Sequence, residues 1–219
     1  MPPRQQQQYP SRVRIFLTMY NLVSAVLWTV VLERTLVVYF LRGPWKVYFA
    51  VGEWTAATQT LALAEVLFSL SGLVRAPLFT TAMQVASRLF LVWGVVAQYT
   101  GVAGFSAAYT SMLVAWSVTE VIRYSFFACS LGLGDVPAFL LWLRYNTFFL
   151  LYPIGISSEC WLIFKTIGAA YESNPLFGFL WIGVLVVYVP GSYILYTHMM
   201  AQRRKVMRAQ VQDKANKTS

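Results

Sequence analysis

The chain has 219 residues, of which 58% are hydrophobic and only 11% are Asp, Glu, Lys or Arg, whereas a soluble domain is about a quarter charged. That balance, with a mean hydropathy of +0.58, excludes a soluble globular domain and predicts an integral membrane protein that is membrane domain over nearly all its length. The net charge of +9 does not point to nucleic acid: six of the 17 Lys and Arg (Arg203, Arg204, Lys205, Arg208, Lys214 and Lys217) follow Met200, and a basic tail beside a membrane is an orientation signal.

In chain order, residues 1–11 read as a disordered polar leader with four successive glutamines and no signal-peptide cleavage site. Ile15–Leu32 is the first uncharged apolar run, 18 residues long, just enough to cross ~30 Å of hydrocarbon. The second span is Thr55–Gly72, followed by a turn at Arg75 and Pro77, and the third is Leu78–Tyr99. After a small loop, Thr100–Ser106, comes the fourth, Ala107–Phe127, and then a glycine-containing loop, Cys129–Pro137. The fifth runs from Ala138 through an expected kink at Pro153 toward Phe164; a polar link, Lys165–Pro175, leads to the last span, Leu176–Met199. The expected architecture is an all-α polytopic bundle of six transmembrane helices occupying 12–202, with a basic tail at 203–219. Six spans put both termini on one side. That side then carries Arg4, Arg12, Arg14, Arg75 and the six tail residues against Arg34, Arg42, Lys46 and Lys165 opposite, the bias of cytosolic termini.

The spans hold three acids, Glu65, Glu120 and Glu159, and three arginines, Arg88, Arg123 and Arg144. Each would cost at least ~2.5 kcal/mol facing lipid at the centre of the membrane, so all six are expected to face inward, near partners or water. Glu120 and Arg123, three apart, can pair on one helix. The densest polar stretch is Arg144–Glu159, where Tyr145, Tyr152 and Glu159 recur every seven residues on one helical stripe. With Arg75 at the cytosolic turn, the arginines form a ladder toward Tyr152 and Glu159. A long anionic ligand would set its phosphates on that ladder and its reactive carbon below. The plainer reading is that these ion pairs hold the bundle together.

Absences narrow the chemistry. The one histidine, His198, lies at the end of the last span, so no histidine serves as a base or metal ligand deep in the bundle. Cys129 and Cys160 form no disulfide framework, and neither has an Arg six residues on, as the loop of a cysteine phosphatase requires. No glycine-rich phosphate loop is present. A phenol and a carboxyl group remain, a pair suited to removing one proton and delivering another without metal or cofactor.

WSVTEVIRYSFF (Trp116–Phe127) and LWLRYNTFFLLYPIGISSE (Leu141–Glu159) resemble the very-long-chain 3-hydroxyacyl-CoA dehydratases of the endoplasmic reticulum, once called protein-tyrosine-phosphatase-like. Glu65–Arg75, QVASRLFLVWG (Gln84–Gly94) and MMAQRRK (Met199–Lys205) match in order, so the resemblance covers about residues 13–205. It implies six spans with cytosolic termini and the third step of fatty-acid elongation, in which a (3R)-3-hydroxyacyl-CoA loses water to give the trans-2-enoyl-CoA. It places the catalytic pair on Tyr152 and Glu159, with no cofactor, and makes the condensing enzyme and two reductases of elongation the partners, along with membrane lipid. Arg75, Arg123 and Arg144 are the expected contacts of the CoA phosphates, Arg88 is a further expected substrate contact, and Tyr145 or Asn146 is the expected donor near the thioester carbonyl. Which of Tyr152 and Glu159 is the base stays open. The competing reading is an inactive membrane scaffold of the elongation system. Three departures stand out: Phe68 where family members often have His, a short link between the last two spans, and no paired lysines in the C-terminal KANKTS.

Overall fold

The computed structural model describes residues 9–74 and 77–218, and among these every regular element is helical. Helix α1 spans Ser11–Arg42 and ends at Gly43, whose positive φ of 82° is open to glycine because it has no Cβ. A 3-10 turn, Pro44–Lys46, leads to α2 (Val47–Leu61) and α3 (Leu63–Leu70). Then follow α4 (Leu78–Leu89), which continues as π-helix over Phe90–Val96, and the single turn α5 (Thr100–Ala103). The chain closes with α6 (Ala107–Gly132), α7 (Ala138–Asn146), α8 (Phe148–Ser173) and α9 (Pro175–Thr218).

Five of these helices are long and apolar enough to cross a membrane: α1, α4 with its π-helical extension, α6, α8 and α9. The stretch expected as the second span is not among these five: it folds as the two shorter helices α2 and α3, separated at Ala62. There Ala62 N–H donates to Gln59 O and Glu65 N–H to Ala62 O, at 3.1 and 3.0 Å, the i to i+3 spacing of a tight turn. Neither proline nor glycine marks that break. The Thr60 hydroxyl bonds the Ala56 carbonyl at 2.7 Å just before it, and Glu65 just after it is clamped by Arg123.

The fifth expected span also differs. Its break falls at Thr147, between α7 and α8, and the helix runs on through Pro153. The Thr147 hydroxyl satisfies the Leu143 carbonyl at 2.8 Å and so closes α7. The link expected at Lys165–Pro175 is mostly the last turns of α8, because Thr166 and Ala170 are fully buried there and Trp181 Nε1 donates to Thr166 Oγ1 at 3.2 Å. Part of the loop expected at Thr100–Ser106 is α5.

Helix α6 is the hub, packed against both α1 and α8. The buried stripe of α1, Leu17, Asn21, Ser24, Trp28, Val31 and Thr35, alternates steps of four and three, a seam that follows a partner helix. Its opposite face exposes Ile15, Phe16, Met19, Leu22, Val23 and Val26, and α9 exposes Val186, Val187, Val189 and Ile194. Apolar surface this continuous is what lipid covers.

Candidate active site

On α8, Tyr152 and Glu159 are two turns apart and both face α9, as their spacing predicts. The Tyr152 hydroxyl donates to the Ser192 carbonyl at 3.0 Å. One turn earlier on α9, the Tyr188 hydroxyl donates to Glu159 Oε2 at 3.1 Å. The antiparallel seam between α8 and α9 therefore carries two polar rungs, with Pro190 and Gly191 lying between Tyr188 and Ser192. Tyr152 and Glu159 bond to these separate partners and not to each other.

Glu159 is buried, and its other oxygen, Oε1, accepts from Trp116 Nε1 on α6 at 2.8 Å. Gly155, one turn before it, faces α6: a Cβ there would lie 3.8 Å from both the Ala115 side chain and Glu159 Oε1, an ordinary contact. Beside it the Ser111 and Ser158 hydroxyls bond across the same pair of helices at 2.9 Å. The carboxyl group is thus bracketed by two neutral donors on two different helices.

The remaining charges form a chain. Arg88 of α4 pairs with Glu120 of α6 and lies 4.9 Å from the centre of the Trp116 ring, a cation–π contact. Arg123 reaches the other oxygen of Glu120 at 2.7 Å through Nε, the i,i+3 pairing that the spacing predicts. It also holds Glu65 in a two-pronged bond at 2.9 and 2.8 Å. The Tyr124 hydroxyl donates to Glu65 as well. Trp116, Glu120 and Arg123 share one stripe of α6, so the network runs from Glu65 to the back of the indole that holds Glu159. Arg88 and Arg123 therefore spend their charge on Glu120 and Glu65.

The other expected substrate contacts sit apart. Arg75 lies outside the described residues. Arg144 stacks on Phe127 and Phe126, its guanidinium carbon 5.6 and 6.0 Å from the ring centres, and makes no ion pair among the described residues. With Tyr145, Thr119, Met199 and Gln202 it lines a cleft of about 90 Å³. The break at Thr147 takes Tyr145 off the helix that carries Tyr152 and Glu159. Asn146 is occupied: its amide donates to the Trp142 carbonyl at 2.8 Å, and its oxygen accepts from Arg203 Nη2 and Nε at 2.9 and 3.1 Å. A wider groove of about 630 Å³ opens between α2, α4 and α6, lined by Tyr48, Gly52, Ala56, Trp93 and Tyr109 among others. Phe68 packs edge-on against Phe16 and Tyr20, with ring centres 5.5 and 5.1 Å away. Cys129 and Cys160 are free and partly buried.

Trp116 and Tyr188 are missing from the residues singled out in the sequence. The signal for Trp116 is its place one turn from Glu120, on the stripe that includes Arg123. For Tyr188 it is a phenol inside an apolar span, where a hydroxyl needs a partner. Replacing Trp116 by Phe removes the donor to a buried carboxylate oxygen and is expected to cost about 1–3 kcal/mol, read as a lower melting temperature in detergent.

The class is an all-helical bundle with five helices fit to cross a membrane and a buried carboxyl group held by two neutral donors on the helix that bears Tyr152; comparison with known proteins gives the family. The family model described as protein tyrosine phosphatase-like protein, PTPLA, matches residues 59–209. The chain is 48% identical over 195 residues to the probable very-long-chain (3R)-3-hydroxyacyl-CoA dehydratase of Schizosaccharomyces pombe, covering 87% of this chain and 92% of that one. It is 38% identical over 207 residues to the very-long-chain (3R)-3-hydroxyacyl-CoA dehydratase PASTICCINO 2 of Arabidopsis thaliana, covering 89% and 93%. It is 37% identical over 209 residues to the dehydratase of the same name, hpo-8, from Caenorhabditis elegans, covering 89% and 95%. No solved structure matches. The chain belongs to the protein tyrosine phosphatase-like, PTPLA, family.

Proposed function

We propose that this protein dehydrates a very-long-chain (3R)-3-hydroxyacyl-CoA to the trans-2-enoyl-CoA, with Tyr152 and Glu159 as the acid–base pair. The reading rests on relatives named for that activity over nearly their whole length. The observation that carries it in the structure is the carboxyl group of Glu159, buried and held by Trp116 and Tyr188 on the face of α8 that also bears Tyr152.

Both oxygens of Glu159 accept from neutral donors, which suits a carboxylate awaiting a proton, and Tyr152 has a proton to give. In this mechanism Glu159 takes the proton from C2, the C3–O bond breaks, and Tyr152 protonates the departing hydroxyl, which leaves as water. The electron pair of the C2–H bond becomes the new double bond. The proton on Glu159 then returns to the Tyr152 phenolate through water before the next turnover. The substrate has to displace the Tyr152–Ser192 bond to reach the phenol. Arg144, free of carboxylate partners among the described residues, is the contact for a CoA phosphate.

Six crossings with both termini cytosolic fit the charge bias, with α2 and α3 together as the second crossing. The basic residues near the end of α9 would then lie in the cytosol, where acyl-CoA is presented. The endoplasmic reticulum is the proposed location, as the third step of fatty-acid elongation beside the condensing enzyme and two reductases.

Purified protein in detergent, given a long-chain 3-hydroxyacyl-CoA, is expected to release the enoyl product; no product from folded protein would return the scaffold reading. Arg144→Gln is expected to raise the apparent KM for acyl-CoA about tenfold while leaving kcat near wild type, since a charged contact to phosphate is worth ~1.5–3 kcal/mol. Initial rates over a range of acyl-CoA concentrations measure it.

A further inference from the structure

The two oxygens of Glu159 do not stand in equivalent surroundings. An indole N–H only donates, so Oε1, 2.8 Å from Trp116 Nε1, is committed to accepting. A proton on Oε1 would find no acceptor in the indole, whereas a proton on Oε2, the oxygen 3.1 Å from the Tyr188 hydroxyl, has one. A phenol hydroxyl donates or accepts by turning about its C–O bond. Of the two groups bonded to Glu159, Tyr188 alone can satisfy it in both its charged and its neutral form.

We infer that Tyr188 is a positioning residue for proton transfer: it donates to the Glu159 carboxylate, and turns to accept from the carboxylic acid once the C2 proton has reached Oε2. The inference rests on the dehydratase reading and adds a third residue to the pair. Its place suits the task. Tyr188 is partly buried and packs against the main hydrophobic core, so its ring is fixed while its hydroxyl hydrogen is free to rotate. It lies one turn from Ser192, which holds the Tyr152 hydroxyl in the resting state. One helix thus sets the orientation of both members of the proposed pair. Without the Tyr188 hydroxyl, a proton on Oε2 or a charge on the carboxylate would lack a bonding partner on that side, and a buried polar group without a partner is costly.

The test compares wild type, Tyr188→Phe and Tyr188→Gln in full-length protein, by steady-state dehydration of a long-chain 3-hydroxyacyl-CoA in H2O and in D2O. Tyr188→Phe keeps the ring and loses only the hydroxyl. Its kcat is expected to fall about 10- to 100-fold, with KM within about twofold and a larger solvent isotope effect, because proton transfer becomes slower relative to release. Tyr188→Gln, whose amide carries both a donor and an acceptor, is expected to recover part of that loss. An unchanged kcat in Tyr188→Phe overturns the inference. So does a loss in which kcat and KM change together with a lowered melting temperature, or a Gln variant no better than Phe. If wild type itself forms no enoyl product, the dehydratase reading fails first and takes this inference with it; a working wild type beside an unaffected Tyr188→Phe removes only the role of Tyr188.

Discussion

Glu159→Gln is expected to lower dehydration turnover by about 10²- to 10⁴-fold, the usual contribution of a positioned acid or base, while the protein stays folded. The reason lies in the bonds the residue makes. A glutamine carbonyl can still accept from Trp116 Nε1, and its amide can donate to the Tyr188 oxygen, which is free to turn and accept. Packing around the residue is unchanged, because the two side chains have nearly the same shape. What the variant lacks is a place for the C2 proton. Tyr152→Phe is expected to be of similar severity for a different reason: the Ser192 carbonyl loses its donor, and the departing hydroxyl loses its acid. The two are separated by the isotope effect of deuterium at C2. With Glu159 as base, the residual activity of Tyr152→Phe is limited by departure of the hydroxyl and shows a small effect. The residual activity of Glu159→Gln is limited by C–H cleavage and shows a large one. Wild-type turnover by both variants would sink the assignment, and the reverse isotope pattern would exchange the roles.

The seven-residue recurrence of Tyr152 and Glu159 was legible because both lie on one unbroken helix, so periodicity translates directly into a shared face. Tyr145 obeys the same spacing but belongs to α7, which ends before Thr147. Pro153 is where a kink is expected, and α8 runs through it; the interruption lies at Thr147, an inconspicuous residue in sequence, whose hydroxyl supplements the backbone bond that ends α7. The break at Ala62 is of the same kind. It precedes a glutamate that Arg123, 58 residues further on, grips with two bonds, and local propensity contains nothing of so distant a partner. The balance of three acids and three arginines inside the apolar helices was also legible, but not its division. Two acids pair with two arginines, whereas Glu159 is held by an indole and a phenol and Arg144 by two phenyl rings. Counting charges suggests pairing throughout. Neutral donors such as Trp116 and Tyr188 escape such a count because aromatic residues are abundant in every span.

The second large effect is expected at Arg123, and it is one of stability. Arg123→Ala removes the cation shared by Glu65 and Glu120 and leaves the Glu65 carboxylate, among the described residues, with the Tyr124 hydroxyl. Glu120 is 3% exposed and would retain only Arg88. Breaking a buried ion pair on one side strands the partner's charge and typically costs about 3–5 kcal/mol, so the melting temperature in detergent is expected to fall by many degrees. The apparent KM for acyl-CoA should stay within about twofold, since the guanidinium is already committed to protein carboxylates; the tenfold rise expected of Arg144→Gln provides the contrast. The turnover of Arg123→Ala is expected to fall somewhat. Glu120, freed on one side, no longer fixes Arg88 over the Trp116 ring, and the indole donor to Glu159 loosens with it. Restoring neutrality tests that account: in Arg123→Met combined with Glu65→Gln, one charge of each sign is gone and Arg88 still balances Glu120. The double variant is therefore expected to regain most of the lost stability, because a buried pair replaced as a pair is often neutral or better. A raised KM with normal stability in Arg123→Ala would instead return this arginine to the substrate.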